Sequence, residues 1–118
     1  MNSNVIMQSD FTDMKLLKRG KVRDVYEIGQ YLLIVASDRM SAFDVVMDDP
    51  IPDKGKILTQ LSLFWFKELE HIVDNHLVSS DPSEYPEVCT KYRDQLAGRS
   101  MLVHRADPLP VECVVRGY

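Results

Sequence analysis

The feature that most constrains the fold of this chain is a short apolar run without a charge, YLLIVA at Tyr31–Ala36. A run of this length, bounded by turn residues, predicts a buried central strand. Two segments rich in β-forming residues precede it, at 15–19 and 21–28. Gly20 and Gly29 separate the three segments, and glycine suits tight turns because it has no Cβ. The sequence therefore predicts a three-stranded antiparallel meander with Gly20 in its first turn.

The strongest helical signal lies over residues 56–73. Apolar side chains recur there at intervals of three and four residues, on a face formed by Leu58, Leu61, Trp65, Leu69 and Ile72. This spacing predicts an amphipathic helix, which Asp74 and Asn75 close. We expect the apolar face to pack on the sheet, and we expect the neighbouring Phe64 and Phe66 to widen the core.

The second half of the chain adds strands to the same sheet. Residues 100–105 and 111–116 are rich in β-forming residues and predict two strands, which the proline-containing connector 106–110 joins. A short helix over 86–96 stays an open alternative to a loop. Together these elements predict an α+β fold, a mostly antiparallel sheet with one main helix.

Composition narrows the classes of function. Hydrophobic residues make up 45% of the 118 residues and the net charge is −4, so we expect a packed domain and no nucleic-acid partner, which would favour a basic surface. Cys89 and Cys113 lack the spacing of a disulfide framework or a metal site. Neither a signal-peptide pattern nor an apolar run near the ~20 residues of a membrane span is visible. We therefore expect a cytoplasmic protein that does not enter a membrane.

The two ends of the chain lead to separate expectations. Residues 1–13 show no clear period and predict a loose leader ahead of a subdomain over 14–118. The chain stops with VVRGY, directly after a predicted strand and without a polar tail. This favours truncation over a natural end with a paired terminal strand. A truncated core would expose apolar surface, and we expect such surface to promote self-association.

Three groups of residues are candidates for chemistry, and the first is the basic turn KRGKVRD at 18–24. Backbone N–H groups at a glycine turn can point at phosphate oxygens, and Gly20 permits close approach. Lys21 and Arg23 flank Val22 on the predicted strand, so both would face one side. The segment is not a Walker A loop, because the GxxxxGK[ST] pattern does not occur. The alternative is a solvated hairpin with basic edge residues.

The second group is SDRMSAFD at 37–44, which follows the predicted central strand directly. Its hydroxyls and arginine suit a phosphate or carboxylate ligand, and its aspartates, Asp38 and Asp44, could accept hydrogen bonds from sugar or amine groups. The alternative is local turn chemistry, since Ser and Asp bond their own backbone well.

The third group is DPLPVECVVR at 107–116. A proline-stiffened connector between two strands suits a hinge whose backbone groups meet a planar ring. Arg116 ends an apolar strand, where a guanidinium is costly unless it meets an anion. The alternative is a surface turn with an exposed strand end. The three histidines and the pair Asp48 and Asp49 show no metal spacing, so no metal site is predicted in the chain.

The three groups of residues, in this order along the chain, resemble those of the SAICAR synthase family. The resemblance covers about residues 15–118. The segments that carry the resemblance are GKVRDVYE at 20–27, SDRMSAFD at 37–44, KGKILTQLSLFWF at 54–66 and GRSMLVHRADPLPVECVVRGY at 98–118. The resemblance implies the amino-terminal subdomain of a two-part enzyme related to the ATP-grasp and kinase-like folds.

The resemblance also implies a reaction, that of a carbon–nitrogen ligase of purine biosynthesis. The family joins L-aspartate to the carboxylate of carboxyaminoimidazole ribonucleotide with ATP and Mg²⁺, through an acyl phosphate. The implied partners are these small molecules. The implied metal ligands belong to a carboxy-terminal part that this chain lacks, so we expect the 118 residues alone to be inactive.

Site residues are implied position by position, and no catalytic residue is assigned. The family's phosphate-covering hairpin corresponds to Gly20, Lys21, Val22 and Arg23. The connector that meets the adenine corresponds to Pro110, Val111 and Glu112. The substrate pocket corresponds to Asp38, Ser41, Asp44 and Arg116. Two alternatives to the ligase remain, a truncated non-catalytic ATP-binding module and an unrelated α+β interaction domain.

Overall fold

An antiparallel sheet organises the chain, of which the structure, a computed structural model, describes residues 5–117. The strands in chain order are β1 Lys15–Arg19, β2 Arg23–Ile28, β3 Tyr31–Ala36, β4 Ser41–Ala42, β5 Val45–Val46, β6 Leu77–Ser79 and β7 Ser100–His104. The helices are α1 Lys54–Leu69 and α2 Arg93–Leu96, with 3₁₀ segments at Pro82–Glu84 and Glu87–Tyr92. The main sheet has the strand order β1-β2-β3-β7-β6, while β4 and β5 form a separate small hairpin.

The predicted meander is confirmed, with one change of boundary. Strands β2 and β3 pair in register from Arg23 opposite Ala36 to Ile28 opposite Tyr31. The Gly20 N–H closes the first turn by donating to the Arg23 carbonyl at 2.8 Å. Strand β2 starts at Arg23 and not at residue 21, so the prediction that Lys21 and Arg23 alternate along one strand is wrong. Lys21 lies in the turn instead.

The two faces of the sheet are covered very differently. One face carries Leu33 and Leu102, which are paired across β3 and β7 and are buried in the main core. Segments before β1 and between β6 and β7 cover this face, and the buried core comprises Phe11, Met14, Tyr26, Ile28, Leu33, Val35, Tyr85, Cys89, Tyr92, Leu96 and Leu102. The opposite face, which carries Ile34 and Met101, lines a cavity beneath α1. We call it the open face.

Helix α1 lies over the open face but packs closely only at its start. A Cβ placed on Gly55 would come within 2.3 Å of the Ala36 carbonyl oxygen, so only glycine allows this approach to the end of β3. Farther along, a cavity of about 400 Å³ separates the helix from the sheet, with Leu58 and Trp65 on one side and Ile34 on the other.

Two predictions about this helix need correction. It runs over Lys54–Leu69, so it begins and ends earlier than the predicted 56–73. The face with Leu58, Leu61, Trp65 and Leu69 does not belong to the core, because these side chains are 41–55% exposed. Of the helix residues, those buried are Gly55 and Thr59. The predicted core role of Phe64 is wrong for the same reason, since it too is half exposed.

The amino-terminal segment is not loose in the part that the structure describes. Ser9 and Phe11 are buried, the latter against the rings of Tyr26 and Tyr92. A backbone hydrogen bond from the Asp38 N–H to the Ile6 carbonyl also ties this segment to the rest of the chain. Residues 1–4 lie outside the described residues.

The carboxy-terminal predictions are met only in part. Strand β7 confirms the strand predicted over 100–105, one residue shorter. Residues 111–116 form no strand in the described chain and are exposed, since they pair with no neighbouring strand there. The segment 86–96 forms 3₁₀ turns and the single-turn α2 instead of one continuous helix. Across residues 5–117, no helix has the length and apolar character needed to cross a membrane.

The exposure of α1 predicts how two core-type substitutions differ. Leu33 is 0% exposed and Trp65 is 55% exposed. Leu33→Ala should lower the free energy of unfolding by about 2–5 kcal/mol, whereas Trp65→Ala should lower it by only about 1–2 kcal/mol because half of the ring already meets water. Urea unfolding followed by circular dichroism measures both. A larger loss for Trp65→Ala than for Leu33→Ala would show that the apolar face of α1 is buried.

Candidate functional site

The candidate site is built around the turn that joins β1 to β2. The carbonyl oxygens of its three residues, Gly20, Lys21 and Val22, all accept hydrogen bonds from the segment just after β3. The Arg39 guanidinium donates to the Gly20 oxygen at 2.9 Å and to the Lys21 oxygen at 3.0 Å. The Val22 oxygen accepts from the Ser37 N–H at 2.9 Å and from the Ser37 hydroxyl at 2.7 Å. The first two predicted groups of residues are therefore brought together.

A buried ion pair anchors Arg39. Its guanidinium, on a side chain only 4% exposed, lies 3.0 Å from the Asp24 carboxylate, which is fully buried. Asp24 also accepts from the Ser9 hydroxyl at 2.6 Å and from Arg19 at 3.0 Å. Burial alone would raise the pKa of Asp24, but the hydrogen bonds from Ser9, Arg39 and Arg19 outweigh it, so the pKa lies below its ordinary value.

A second buried pair holds the start of α1. Arg99 meets Asp38 at 3.1 Å, and both side chains are almost fully buried. The Asp38 carboxylate also accepts from the Gly55 N–H at 2.9 Å and the Ile6 N–H at 3.0 Å. Burial opposes ionisation of Asp38, but the bonds from Arg99, Gly55 and Ile6 prevail and lower its pKa.

The position of Asp38 differs from the one expected for a substrate ligand. Its carboxylate is 0% exposed, and its hydrogen bonds go to groups of this chain. The side chain fixes the first turn of α1 through the Gly55 N–H. Sequence alone does not distinguish this structural role from a contact to substrate, because an aspartate that follows a strand suits both roles.

The β4–β5 hairpin places another predicted residue at the basic turn. Phe43 and Asp44 form its tip with φ of 51° and 63°, the left-handed conformation of a type I′ turn. The Asp44 carboxylate forms an exposed ion pair with the Lys21 ammonium, and this contact lowers the pKa of Asp44. Ser41 lies in β4 of the same hairpin and is half buried.

A recess on the open face is lined in part by the hairpin that carries the basic turn. It has a volume of about 680 Å³ and is lined by the apolar side chains Leu17, Val25, Leu32, Ile34 and Val103 together with His76, His104 and the connector 105–108. Lys18 also lines it. Leu17 and Val25 lie on the two strands that the basic turn joins, so the recess and the turn share the same hairpin. An apolar recess next to exposed cations suits a flat, anionic ligand.

The third predicted group does not join the others. Pro110, Val111, Glu112 and Arg116 are exposed, and none of them lines the recess. The prediction that Arg116 ends an apolar strand is wrong, because residues 105–117 form no strand. The part of the connector that reaches the recess is 105–108.

Sequence analysis missed the structural role of the buried charges. The sequence pattern gives no role to Asp24 or Arg99 and predicts a ligand contact for Arg39, although each of the three is almost fully buried. Asp24 carried the best available signal, because it lies between β-forming residues of a predicted strand and on the face that points to the core. A charge at such a position requires a buried partner of opposite sign.

The low pKa values of the buried aspartates predict a pH dependence of stability. Asp24 and Asp38 have lowered pKa values in the folded chain. Their contribution is therefore complete above the unfolded value of about 3.9 and is lost as the pH falls through the lower folded values. The free energy of unfolding should change little from neutral pH to about pH 5 and fall steeply below about pH 4.

A substitution isolates the contribution of the Asp24 pair. Asp24→Asn leaves Arg39 buried without its counter-charge, which should destabilise the chain by about 3–5 kcal/mol at neutral pH. The control is Asp48→Asn, in an exposed loop, which should change stability little. An unfolding midpoint for Asp24→Asn equal to that of the control would contradict the role assigned to the pair.

Comparison with known proteins identifies the family. The family model for SAICAR synthetase matches residues 16–118. The chain is 65% identical over 114 residues to phosphoribosylaminoimidazole-succinocarboxamide synthase of Desulfosudis oleivorans, covering 97% of this chain and 39% of that protein. It is 59% identical to the enzyme of the same name of Pelobacter propionicus, covering 98% of this chain and 39% of that protein.

Solved structures agree in fold. A SAICAR synthase structure superposes with a TM-score of 0.79 at 45% identity, covering 89% of this chain and 38% of that one. The SAICAR synthase of Saccharomyces cerevisiae, complexed with SAICAR, superposes with a TM-score of 0.76 at 46% identity, covering 85% of this chain and 36% of that one. The chain thus spans about 39% of the length of the curated relatives. By sequence and by fold, this chain belongs to the SAICAR synthetase family.

Proposed function

We propose that the protein acts as a SAICAR-forming ligase of purine biosynthesis and that this chain is its ATP-binding part. Family membership supports the ligase role. One observation of the structure carries the assignment of ATP: an apolar recess of about 680 Å³ on the same β-hairpin as an exposed basic turn. An adenine ring is flat and largely apolar on its faces, and a triphosphate requires nearby positive charge.

The basic turn is the proposed phosphate site. Gly20, Lys21, Val22 and Arg23 form it, and the side chains of Lys21 and Arg23 are exposed. Lys21 pairs with Asp44 in the structure. Since both partners are exposed, the pair is weak and a triphosphate can replace the carboxylate as the partner of the ammonium.

The recess is the proposed adenine site. Leu17 and Val25 would contact the ring faces, because they line the recess from β1 and β2. The polar edge of the ring would meet the backbone of the connector. We assign this contact to the connector from 105 through Pro110, Val111 and Glu112, of which residues 105–108 line the recess in this structure.

The proposed substrates are carboxyaminoimidazole ribonucleotide and L-aspartate. Ser41 and Asp44 in the β4–β5 hairpin and Arg116 are the proposed substrate contacts, and all three remain accessible or half accessible. Asp38 is left out of this set because it is buried against Arg99. The yeast structure that this chain resembles is described as a complex with SAICAR, the product of this reaction.

The proposed chemistry proceeds in two steps. A carboxylate oxygen of the ribonucleotide attacks the γ-phosphorus of ATP, the bond to the β–γ bridging oxygen breaks, and ADP leaves. The aspartate amine then attacks the acyl carbon of the acyl phosphate. The bond from that carbon to the phosphate oxygen breaks, inorganic phosphate leaves, and the attacking nitrogen loses one proton to form the amide. Such transfer depends on positioning and on neutralised phosphate charge more than on a protein nucleophile. Lys21 and Arg23 would supply part of that charge.

The Mg²⁺ that the proposed reaction requires is not assigned to residues of this chain. Between residues 5 and 117, no group of three or more His, Cys, Asp or Glu side chains is arranged to hold a metal ion. We propose that the Mg²⁺ ligands lie outside this chain, and no step is assigned to them here. We also propose a cytoplasmic location, and self-association of the isolated chain through the half-exposed apolar face of α1.

The proposal predicts that the isolated chain and the full-length protein differ in catalytic activity. Residues 1–118 should bind MgATP but release no ADP with the ribonucleotide and aspartate. The full-length protein should be active, and Lys21→Ala should raise its KM for ATP about tenfold to a hundredfold, since a charge-assisted contact contributes about 1.5–3 kcal/mol. Arg116→Ala should instead raise the KM for the ribonucleotide. A coupled ADP-release assay measures all three.

The control is Lys67→Ala, which removes an exposed lysine in the last turn of α1 and should leave both KM values unchanged. Turnover by residues 1–118 alone would refute the assignment of this chain as a binding part. ATP binding without turnover by the full-length protein would instead favour the non-catalytic ATP-binding module.

A further inference from the structure

We propose that Arg39 is a positioning residue that presets the basic turn for phosphate binding. It holds the carbonyl groups of Gly20 and Lys21 toward the protein interior, so that the N–H groups of Lys21 and Val22 face outward as a pair of anion donors. This inference rests on the proposed ATP-binding function and assigns the backbone of the turn, not only its basic side chains, to the recognition of phosphate.

The observation behind it is the convergence of two consecutive carbonyls on one guanidinium. The Arg39 Nη2 donates to the Gly20 oxygen at 2.9 Å, and its Nε donates to the Lys21 oxygen at 3.0 Å. The planar fork of a guanidinium fixes both acceptors at once, which a single ammonium cannot do. The next carbonyl, that of Val22, is held separately by Ser37.

The direction of the N–H groups follows from the peptide bond. A trans peptide unit is planar, so its N–H points opposite to its C=O. The Gly20 carbonyl shares its unit with the Lys21 N–H, and the Lys21 carbonyl shares its unit with the Val22 N–H. Both N–H groups therefore point away from Arg39. Among residues 5–117, neither of them donates a hydrogen bond.

Adjacent N–H groups that point the same way form a concavity that binds anions. Here the two donors lie between the exposed side chains of Lys21 and Arg23, which add positive charge. An oxygen of a nucleotide phosphate would accept from the pair without any rearrangement of the turn. Because the turn is ordered before the ligand arrives, binding does not bear the entropic cost of ordering it.

The surroundings of Arg39 hold the guanidinium in one orientation. Besides the two turn carbonyls, it donates to the Met7 carbonyl at 2.8 Å and to Asp24 at 3.0 Å. Asp24 is itself fixed by the N–H and hydroxyl of Ser9 at 3.1 and 2.6 Å and by Arg19. The arginine therefore cannot turn toward solvent to bind the ligand itself. It acts through the turn.

Selective labelling can observe the two N–H groups directly. The pair Lys–Val occurs once in the 118 residues, at Lys21–Val22, so ¹³C-carbonyl lysine with ¹⁵N-valine gives a single filtered amide signal from Val22. The pair Gly–Lys occurs twice, so ¹³C-carbonyl glycine with ¹⁵N-lysine reports Lys21 and Lys56. Lys56 lies in the first turn of α1 and serves as the internal control for phosphate bound at that helix end.

The probes are MgATP and inorganic tripolyphosphate, titrated into the labelled chain. We expect the Lys21 and Val22 amide signals to shift with both probes while Lys56 stays unchanged. If MgATP moves no signal and gives no heat of binding in calorimetry, both the proposed function and this inference are overturned. If MgATP binds but the Lys21 and Val22 signals do not move, or Lys56 moves in their place, only this inference is overturned.

A pair of variants tests Arg39 itself. Arg39→Lys keeps the charge beside Asp24 but loses the fork, so we expect the affinity for tripolyphosphate to weaken at least about tenfold. Arg99→Lys is the matched control, since Arg99 is equally buried and pairs with Asp38 away from the turn. It should lose stability while keeping its affinity.

Affinities are compared at a temperature where each variant is folded. Equal affinity of Arg39→Lys and the unmodified chain would overturn the inference, as would an equal loss in both variants. If Arg39→Lys does not fold, a comparison of amide hydrogen exchange decides. Lys21 and Val22 in the unmodified chain should exchange rapidly, as unbonded outward groups do, and should become protected by tripolyphosphate. The absence of that protection would overturn the inference.

Discussion

The buried pair of Arg39 and Asp24 is the interaction on which the rest of this structure depends. Through it, four stretches of the chain meet at one point: the amino-terminal segment at Met7 and Ser9, the β1–β2 turn, strand β2 and the segment after β3. Two desolvated charges are costly to bury, and here hydrogen bonds from several elements compensate that cost. Loss of Asp24 would leave Arg39 buried without its counter-charge, whereas loss of Arg39 would leave Asp24 paired with Arg19.

The second buried pair, Asp38 with Arg99, explains why the chain has an open face. Asp38 binds the first turn of α1 through the Gly55 N–H, and Gly55 allows that turn to lie against the end of β3. Beyond this point the helix leaves a cavity over the sheet, and the recess lies farther along the same face. The opposite face holds the core. The core and the proposed ligand site thus lie on opposite faces of one sheet.

Local patterns predicted the meander, the main helix and β7. The turns at Gly20 and Gly29 and the helical spacing depend on residues that are close together in the sequence. Neighbouring residues do not determine which element packs against an apolar face, so the assignment of Trp65 to the core was wrong. The strand predicted at 111–116 fails for a related reason, since a strand requires a partner that no local pattern reveals. The chemistry of Asp38 suited a ligand and a buried ion pair equally, and only the position of Arg99 in the fold distinguishes them.

A crystal structure of the full-length protein with MgATP tests the central claim most directly. The account predicts the adenine in the recess between Leu17, Val25 and the connector 105–108, with phosphate oxygens within hydrogen-bond distance of the Lys21 and Val22 N–H groups. Arg39 should still bind the Gly20 and Lys21 carbonyls. A nucleotide in the cavity beneath α1, or phosphates at the first turn of that helix, would contradict the account.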